Sequence, residues 1–571
     1  MNKLKNSILF LAFLPIILLA DNKANAELFG AWTLIPPVVA ILLAFITRNV
    51  IFSLFIGIFS GTFLVNIVNG DIFAAFVGGF MDMISKMIGS MADSWNAGII
   101  LQVLTIGGLI AVITKMGGPR AIAKALAKKA KTPASAQIYT WVMGFFIFFD
   151  DYANSLIIGP IMRPVTDRLK IAREKLAFII DATAAPIAGI ALISTWIGYE
   201  ISLIKDAYAT IGQVDINAYS IFVDTIAYRF YNIFMLAFVF FTAYFLREFG
   251  PMHKAALRAA STGKVSRHIR HEEEHLNQES STMAPKKNVE YSIWNAIVPI
   301  GVLIVVSFLG FYFNGLHSLE GEALKAVQAD PYSFASIRDC FGGADASIVL
   351  FEAALFASIV AIAMGMQQKI FDLNEALETW VHGVKALVIT AVILILAWSI
   401  SAVIKELGTS VYLVSILSHD MPQFILPSVI FIFGSLISFS TGTSYGTMGI
   451  LMPLTIPLAN AIGINYGLDT NALNEYIILN IGAVLTGAIF GDHCSPISDT
   501  SILSSMGSSC DHMDHISTQL PYALFVGTVS IVFGYIPAAL GISVAYLIPI
   551  ALLVLALTVR FYGKPFLKQE A

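Results

Sequence analysis

The chain has 571 residues, 57% of them hydrophobic and 13% charged, about half the charged share of roughly 25% usual in soluble domains. Together with a mean hydropathy of +0.77, this excludes a soluble globular protein and points to an integral membrane protein. The 34 Lys and Arg against 38 Asp and Glu leave a net charge of −4, so no basic excess points to nucleic acid; the expected partners are the lipid bilayer and small solutes.

Residues 1–26 carry Lys3 and Lys5, a 14-residue apolar run from Ser7 to Ala20, and Ala24-Asn25-Ala26, the pattern of a cleavable signal peptide. The alternative is a short uncleaved helix, and in both readings the segment from Glu27 begins outside the cytoplasm. Apolar segments of spanning length follow at 32–47, 49–69, 98–114, 176–204, 220–246, 292–313, 346–366, 384–404, 474–505, 519–540 and 543–561, eleven in all. Two more, 136–162 and 423–460, are interrupted by polar residues near the middle and are predicted to be re-entrant hairpins.

Cations test that layout, because cytoplasmic loops carry the Lys and Arg. It places Arg48, the cluster from Arg120 to Lys131, and the cluster from Arg163 to Lys175 inside, provided the first hairpin returns to its own side. The polar stretch from Arg247 to Glu290, with eight Lys or Arg and four of the ten histidines, also falls inside. Its His268, His271 and His275 have a metal-like spacing, but Glu272 to Glu274 between them favour a solvated linker. Arg560, Lys564 and Lys568 put the C-terminus in the cytoplasm.

The halves repeat. Ala111 to Gly117 (AVITKMG) matches Ala402 to Gly408 (AVIKELG) at an offset of 291, and Tyr152, Pro160 and Pro164 match Tyr445, Pro453 and Pro457 at 293. Pro186 and Ser194 match Pro496 and Ser504 at 310. The predicted fold class is an all-α polytopic membrane protein, about 11 transmembrane helices plus two re-entrant hairpins in an inverted-topology repeat, the plan of secondary transporters. Its parts are the signal peptide (1–26), the first repeat (27–246), the linker (247–290), the inverted second repeat (291–540), and an extra C-terminal helix with its tail (541–571).

Polar groups concentrate where spans are interrupted. The first hairpin tip holds Asp150, Asp151, Asn154 and Ser155, and a carboxylate at membrane depth costs on the order of 3 kcal/mol even on the mildest scale. The second tip, Ser440 to Thr447, offers hydroxyls and carbonyls, including those of Thr443 and Ser444, a donor set suited to a hard cation. The broken spans add Asp181 and Thr183 beside Pro186, and Asp492, Ser495, Ser498, Asp499 and Thr500 around Pro496. His493, Cys494, Cys510, His512 and His515 fit no familiar zinc spacing, so no transition metal is expected. Glu200, Asp224, Arg229 and Glu352 also lie in spans, where mutual pairing or snorkelling is expected. No phosphate-binding loop, serine-nucleophile or zinc-protease motif is present in the sequence, so an enzyme is not expected.

The strings FFDDYANSLIIGPIMRP, Phe148 to Pro164, and GDHCSPISDTSILSS, Gly491 to Ser505, resemble the NhaC-type sodium/proton antiporter family. The resemblance implies sodium export in exchange for protons across the bacterial inner membrane, no bound cofactor, and a homodimer. Relatives that exchange organic acids make a Na+- or H+-coupled exchanger of organic acids or amino acids the alternative. On the first reading Na+ sits at Asp150, Asp151, Asp492 and Asp499, with Asn154, Thr443, Ser444, Ser495 and Thr500 as neutral ligands, and Asp499→Asn abolishes exchange.

Overall fold

The computed structural model describes residues 22–47, 49–67, 71–148, 151–192, 194–267, 291–417 and 421–566. Asp150, the His268, His271 and His275 run, and residues 1–21 of the expected signal lie outside these. The described residues form a helical membrane protein with ten helices long and apolar enough to cross a bilayer, or eleven when a bent pair, Ala218–Tyr228 and Phe230–Phe245, counts as one.

In the first half, α1 (Ile35–Thr47), α2 (Val50–Asn66), α3 (Ile72–Ala92) and α4 (Ser94–Lys115) lead through short α5 (Gly118–Ala127) into a helical hairpin, α6 (Pro133–Phe146) and α7 (Asp151–Arg168). A broken stretch follows, in which α8 (Arg173–Asp181) ends and α9 (Ile197–Ala209) begins, and then the bent pair ending in α10 (Phe230–Phe245). After the linker helix α11 (Gly250–Thr262) come α12 (Trp294–Ser318), α13 (Ala346–Gln367), α14 (Leu373–Ala386), α15 (Val388–Leu407), short α16 (Thr409–Leu417), a second hairpin of α17 (Leu426–Thr441) and α18 (Ser444–Asn465), a second broken stretch of α19 (Thr470–Cys494) and α20 (Asp499–Ser508), and α21 (His512–Ser530). The order is the same in both halves. The matched heptapeptides end α4 and α15 on glycines that both take the left-handed conformation, Gly117 at φ +72° and Gly408 at φ +70°, a position that strongly favours glycine.

Helix α3 is absent from the expected eleven spans, although its 21 residues are long and apolar enough to cross. Its contacts say otherwise. Its predecessor α2 ends beside Leu407, against which Gly61 packs. Lys86 of α3 pairs with Glu406 at 2.6 Å, and Asp93, which closes α3, lies with Asp345 near Lys205. Lys405 donates to the Ala209 carbonyl at 3.3 Å, four residues past Lys205. So α3 starts and finishes at one end of the bundle, and its Gly78 and Gly79 press on Asn66 and Phe63 at the tip of α2. A 1.5 Å rise per residue makes it roughly 30 Å long, long enough to run along that end without crossing.

Residues 22–26, just before the expected cleavage point, pack against the fold. Helix Asn22–Phe29 runs through Ala24-Asn25-Ala26, Ala26 is buried, and the Asn25 side chain donates to the Glu406 carbonyl at 2.7 Å. This does not support a signal peptide ending at Ala26.

Helices close on one another through small residues, as membrane helices do where packing replaces the hydrophobic effect. A Cβ on Gly487 would stand 2.6 Å from the Phe431 carbonyl, and Gly491 sits against Ser435 and Phe439, so α17 and α19 touch backbone to backbone. Gly159 of α7 and Gly507 of α20 do the same. Two buried ion pairs brace the interior: Glu200 with Arg229 at 2.7 Å, and Lys175 with Glu248 at 2.9 Å. The expected mutual pairing holds for Glu200 and Arg229, whereas Asp224 and Glu352 are exposed.

Candidate cation site

The site gathers on the break between α19 and α20. Asp492, in the last turn of α19, is buried, and both of its oxygens accept from hydroxyls: Oδ2 from Ser444 at 2.7 Å and Oδ1 from Ser498 at 2.6 Å. Ser498 Oγ is 3.0 Å from Thr500 Oγ1. Ser495 donates to the Phe439 carbonyl at 2.6 Å, which ties the break to the second hairpin. Gly442 (φ +68°) turns that hairpin so closely that a Cβ there would lie 2.5 Å from the Ile497 carbonyl. Thr443, in extended conformation, contributes its carbonyl, which accepts from Thr447 at 3.0 Å.

Asp181 closes α8 on the other side of the break and is fully buried. Its Oδ2 accepts from Ser501 Oγ and Gln519 Nε2, each at 2.8 Å, while Oδ1 has no hydrogen-bond partner among the described residues. Gln519 also donates to the His493 carbonyl. The first hairpin arrives through α7: Asn154 donates to the Thr183 carbonyl at 2.9 Å, its own Oδ1 meets no partner among the described residues, and Ser155 Oγ lies 3.0 Å from Ser504 Oγ. Asp151 is buried at the first position of α7, and Tyr152 donates to Asp499 at 3.3 Å.

The sequence-derived residues from both hairpins and both breaks therefore converge. One differs from expectation in placement, and one is not described. Asp499 opens α20 with its side chain exposed, so it stands at the rim while Asp492 holds the interior. Asp150 lies outside the described residues. Sequence reasoning passed over Ser501, Gln519 and His515 as partners of Asp181; the signal was present in His515 and Gln519, polar residues four apart on one face of an apolar helix.

Charge sets the chemistry. Among the described residues, neither Asp181 nor Asp492 has a Lys or Arg within ion-pair distance, in contrast to Glu200 and Glu248, which do. Two buried carboxylates held by hydroxyls and amides call for a proton or a small hard cation. Among the described residues no three His, Cys, Asp or Glu could hold a metal ion together. His493 instead meets the Tyr231 hydroxyl at 2.8 Å, and Cys494 donates to the Phe490 carbonyl.

The model of the Na+/H+ antiporter family matches this chain over residues 14–191 and 187–537. The chain belongs to the Na+/H+ antiporter family. This antiporter-family chain is thus a multi-pass membrane protein of a secondary transporter family, and the family match begins inside the segment expected to be a signal peptide. It is 33% identical to a Haemophilus influenzae protein described as uncharacterized, over 89% of this chain and 90% of that protein. It is 30% identical to the malate-2H+/Na+-lactate antiporter of Bacillus subtilis, over 30% of this chain and 34% of that one. In fold it is similar to Neisseria gonorrhoeae MtrF, of a class of antimetabolite efflux pumps, with a TM-score of 0.50 at 12% identity, over 81% of this antiporter and 84% of MtrF.

Proposed function

We propose that this protein exchanges Na+ for H+ by alternating access, with Asp492 and Asp181 as one buried carboxylate pair that holds either a sodium ion or a proton, sodium against Asp492 and the proton entering and leaving through Asp181. One observation carries the reading: two buried carboxylates, at the ends of the two broken helices, lie in a shell of hydroxyls and amides with no Lys or Arg paired to either among the described residues. A sodium ion or a proton satisfies such a carboxylate equally well in sign, so competition between them makes exchange obligatory. Ser444, Ser498 and Thr500 supply neutral oxygens, and Asp151, Asn154 and Asp499 line the approach from the first hairpin.

An organic anion is held most strongly where a cation is free to meet its carboxylate. The buried guanidinium nearest the breaks, Arg229, is held by Glu200 and the Gly189 carbonyl, which favours cations as the cargo. The test is proton flux in inverted vesicles from an antiporter-deficient bacterium. Sodium or lithium alone is expected to dissipate the pH gradient; a response that needs malate, lactate or an amino acid would replace this reading with the organic-solute exchanger.

The repeats are proposed to be inverted in the bacterial inner membrane, with the end bearing Lys115, Arg163 and Arg173 in the cytoplasm and the end bearing Glu406 outside. That sidedness treats α3 as a surface helix and not a crossing, in keeping with its contacts at the Glu406 end. A cysteine placed at Asp71 is expected to react with an impermeant maleimide from outside intact cells, and one at Lys254 only after the cells are opened. The reverse pattern would invert the topology.

A further inference from the structure

Between Asp181 and the end of the bundle that carries Arg163 and Arg173 stands a row of groups that the exchange reading has not used. His512, at the start of α21, is half-buried, and His515, one turn on, is fully buried. Both rings turn Nδ1 to a single hydroxyl: Ser505 Oγ lies 3.0 Å from His512 Nδ1 and 2.8 Å from His515 Nδ1. The far nitrogens are also committed. His512 Nε2 is 2.7 Å from the Pro496 carbonyl, and His515 Nε2 is 2.8 Å from Gln519 Oε1. The Gln519 amide nitrogen donates to Asp181 and to the His493 carbonyl, which leaves its oxygen as acceptor.

Donor and acceptor roles follow from these partners. A carbonyl oxygen only accepts, so Nε2 of each ring bears a proton. In a neutral ring Nδ1 is then an acceptor, and two acceptors face one hydroxyl that has one proton to give and that also lies 2.7 Å from the Ser501 carbonyl. With both rings neutral at least one Nδ1 is unsatisfied. One added proton satisfies both: the charged ring donates to Ser505 Oγ, and the Ser505 proton goes to the other ring. His515 Nε2 also stands 3.7 Å from Asp181 Oδ2. Among the described residues His493 on α19 is a further ionisable neighbour of His515, and Asp511 and Asp514 flank the two histidines along α21.

We infer that His512, Ser505 and His515 form a relay that carries the exchanged proton between the Arg163 and Arg173 end of the bundle and Asp181; this rests on the Na+/H+ reading. A proton taken up on His512 Nδ1 passes to Ser505 Oγ as the hydroxyl's own proton moves to His515 Nδ1. His515 then gives its Nε2 proton to Asp181 Oδ2 when the ring shifts toward it, and is left neutral with its proton on Nδ1; before the next transfer the ring turns so that its protonated nitrogen again faces Gln519 and its bare nitrogen faces Ser505. No other bond is made or broken, and the reverse sequence carries the proton out.

The test compares two rates in full-length protein reconstituted into liposomes: net sodium-driven proton flux, and exchange of radioactive sodium for sodium at equal pH, which needs folding and alternating access but no proton transfer. Ser505→Ala keeps both imidazoles and removes the bridge; His515→Gln keeps a partner for Gln519 and removes the carrier. Each is expected to lower the ratio of net exchange to self-exchange at least about tenfold, since positioned proton transfer typically contributes a hundredfold or more. A ratio unchanged in both variants, whether the two rates stay or fall together, would overturn the relay and leave the histidines a structural role. Wild-type protein that moves no protons with any cation would instead overturn the exchange reading, and the relay with it.

Discussion

Asp492→Asn is expected to abolish sodium-driven proton movement while the protein still inserts and folds. The side chain keeps its shape, and the Ser444 and Ser498 hydroxyls that donate to its oxygens at 2.7 and 2.6 Å can rotate to accept from an amide. What is lost is the charge. A bare carboxylate at membrane depth costs at least roughly 3 kcal/mol, and a bound cation offsets that cost; without the charge the site loses sodium affinity by on the order of a hundredfold. Neutral Asn also has no proton to release. Proton flux in inverted vesicles checks this, with expression in the membrane as the control. Asp499→Asn, the change that the sequence singles out, is expected to cost far less, because Asp499 is exposed at the rim and receives the Tyr152 hydroxyl at 3.3 Å. If Asp492→Asn exchanged normally and Asp499→Asn did not, the ion would have to sit at the first hairpin.

The largest loss of stability is expected from breaking one half of the Glu200 and Arg229 pair. Both side chains are fully buried, and Arg229 stands at the 47° bend between its two helices, where it donates to Glu200, to Thr225 and to the Gly189 carbonyl in the first broken stretch. Glu200→Gln leaves a guanidinium without its counter-charge, a change that costs about 3–5 kcal/mol for buried pairs. Replacing both residues with Met removes both charges at once and is expected to recover most of that loss, although the Gly189 carbonyl then loses its donor. Thermal unfolding in detergent is the measurement. Singles that melt with the wild type would mean that the pair does not hold the bend.

Much of this architecture was legible in the sequence because membrane insertion punishes polar groups. Tips such as Asp151 to Ser155 and breaks such as Asp492 to Thr500 stand out against apolar neighbours, and the proline spacings repeat where helices must bend or stop. The charges of Glu200 and Arg229 stood out for the same reason, but which of the span charges pair was not legible. Nor was helix α3: Asp82 and Lys86 dilute its apolar run, and a surface helix and a crossing differ in what lies at their two ends, which only tertiary contact reveals. The separation of Asp492 from Asp499 was also hidden. Seven residues apart, they look equivalent along the chain, but the break at Pro496 turns one inward and the other to the rim. The partners of Asp181 come from α20 and α21, far along the chain, a relation no local pattern encodes.

The most direct test of competition at one buried site is to add sodium to purified protein in weakly buffered detergent and follow proton release with a pH dye. Release is expected as sodium binds, weakening as the pH falls and the carboxylates hold their protons, and absent in Asp492→Asn. Sodium binding with no proton released at any pH would contradict a shared site and, with it, obligatory exchange.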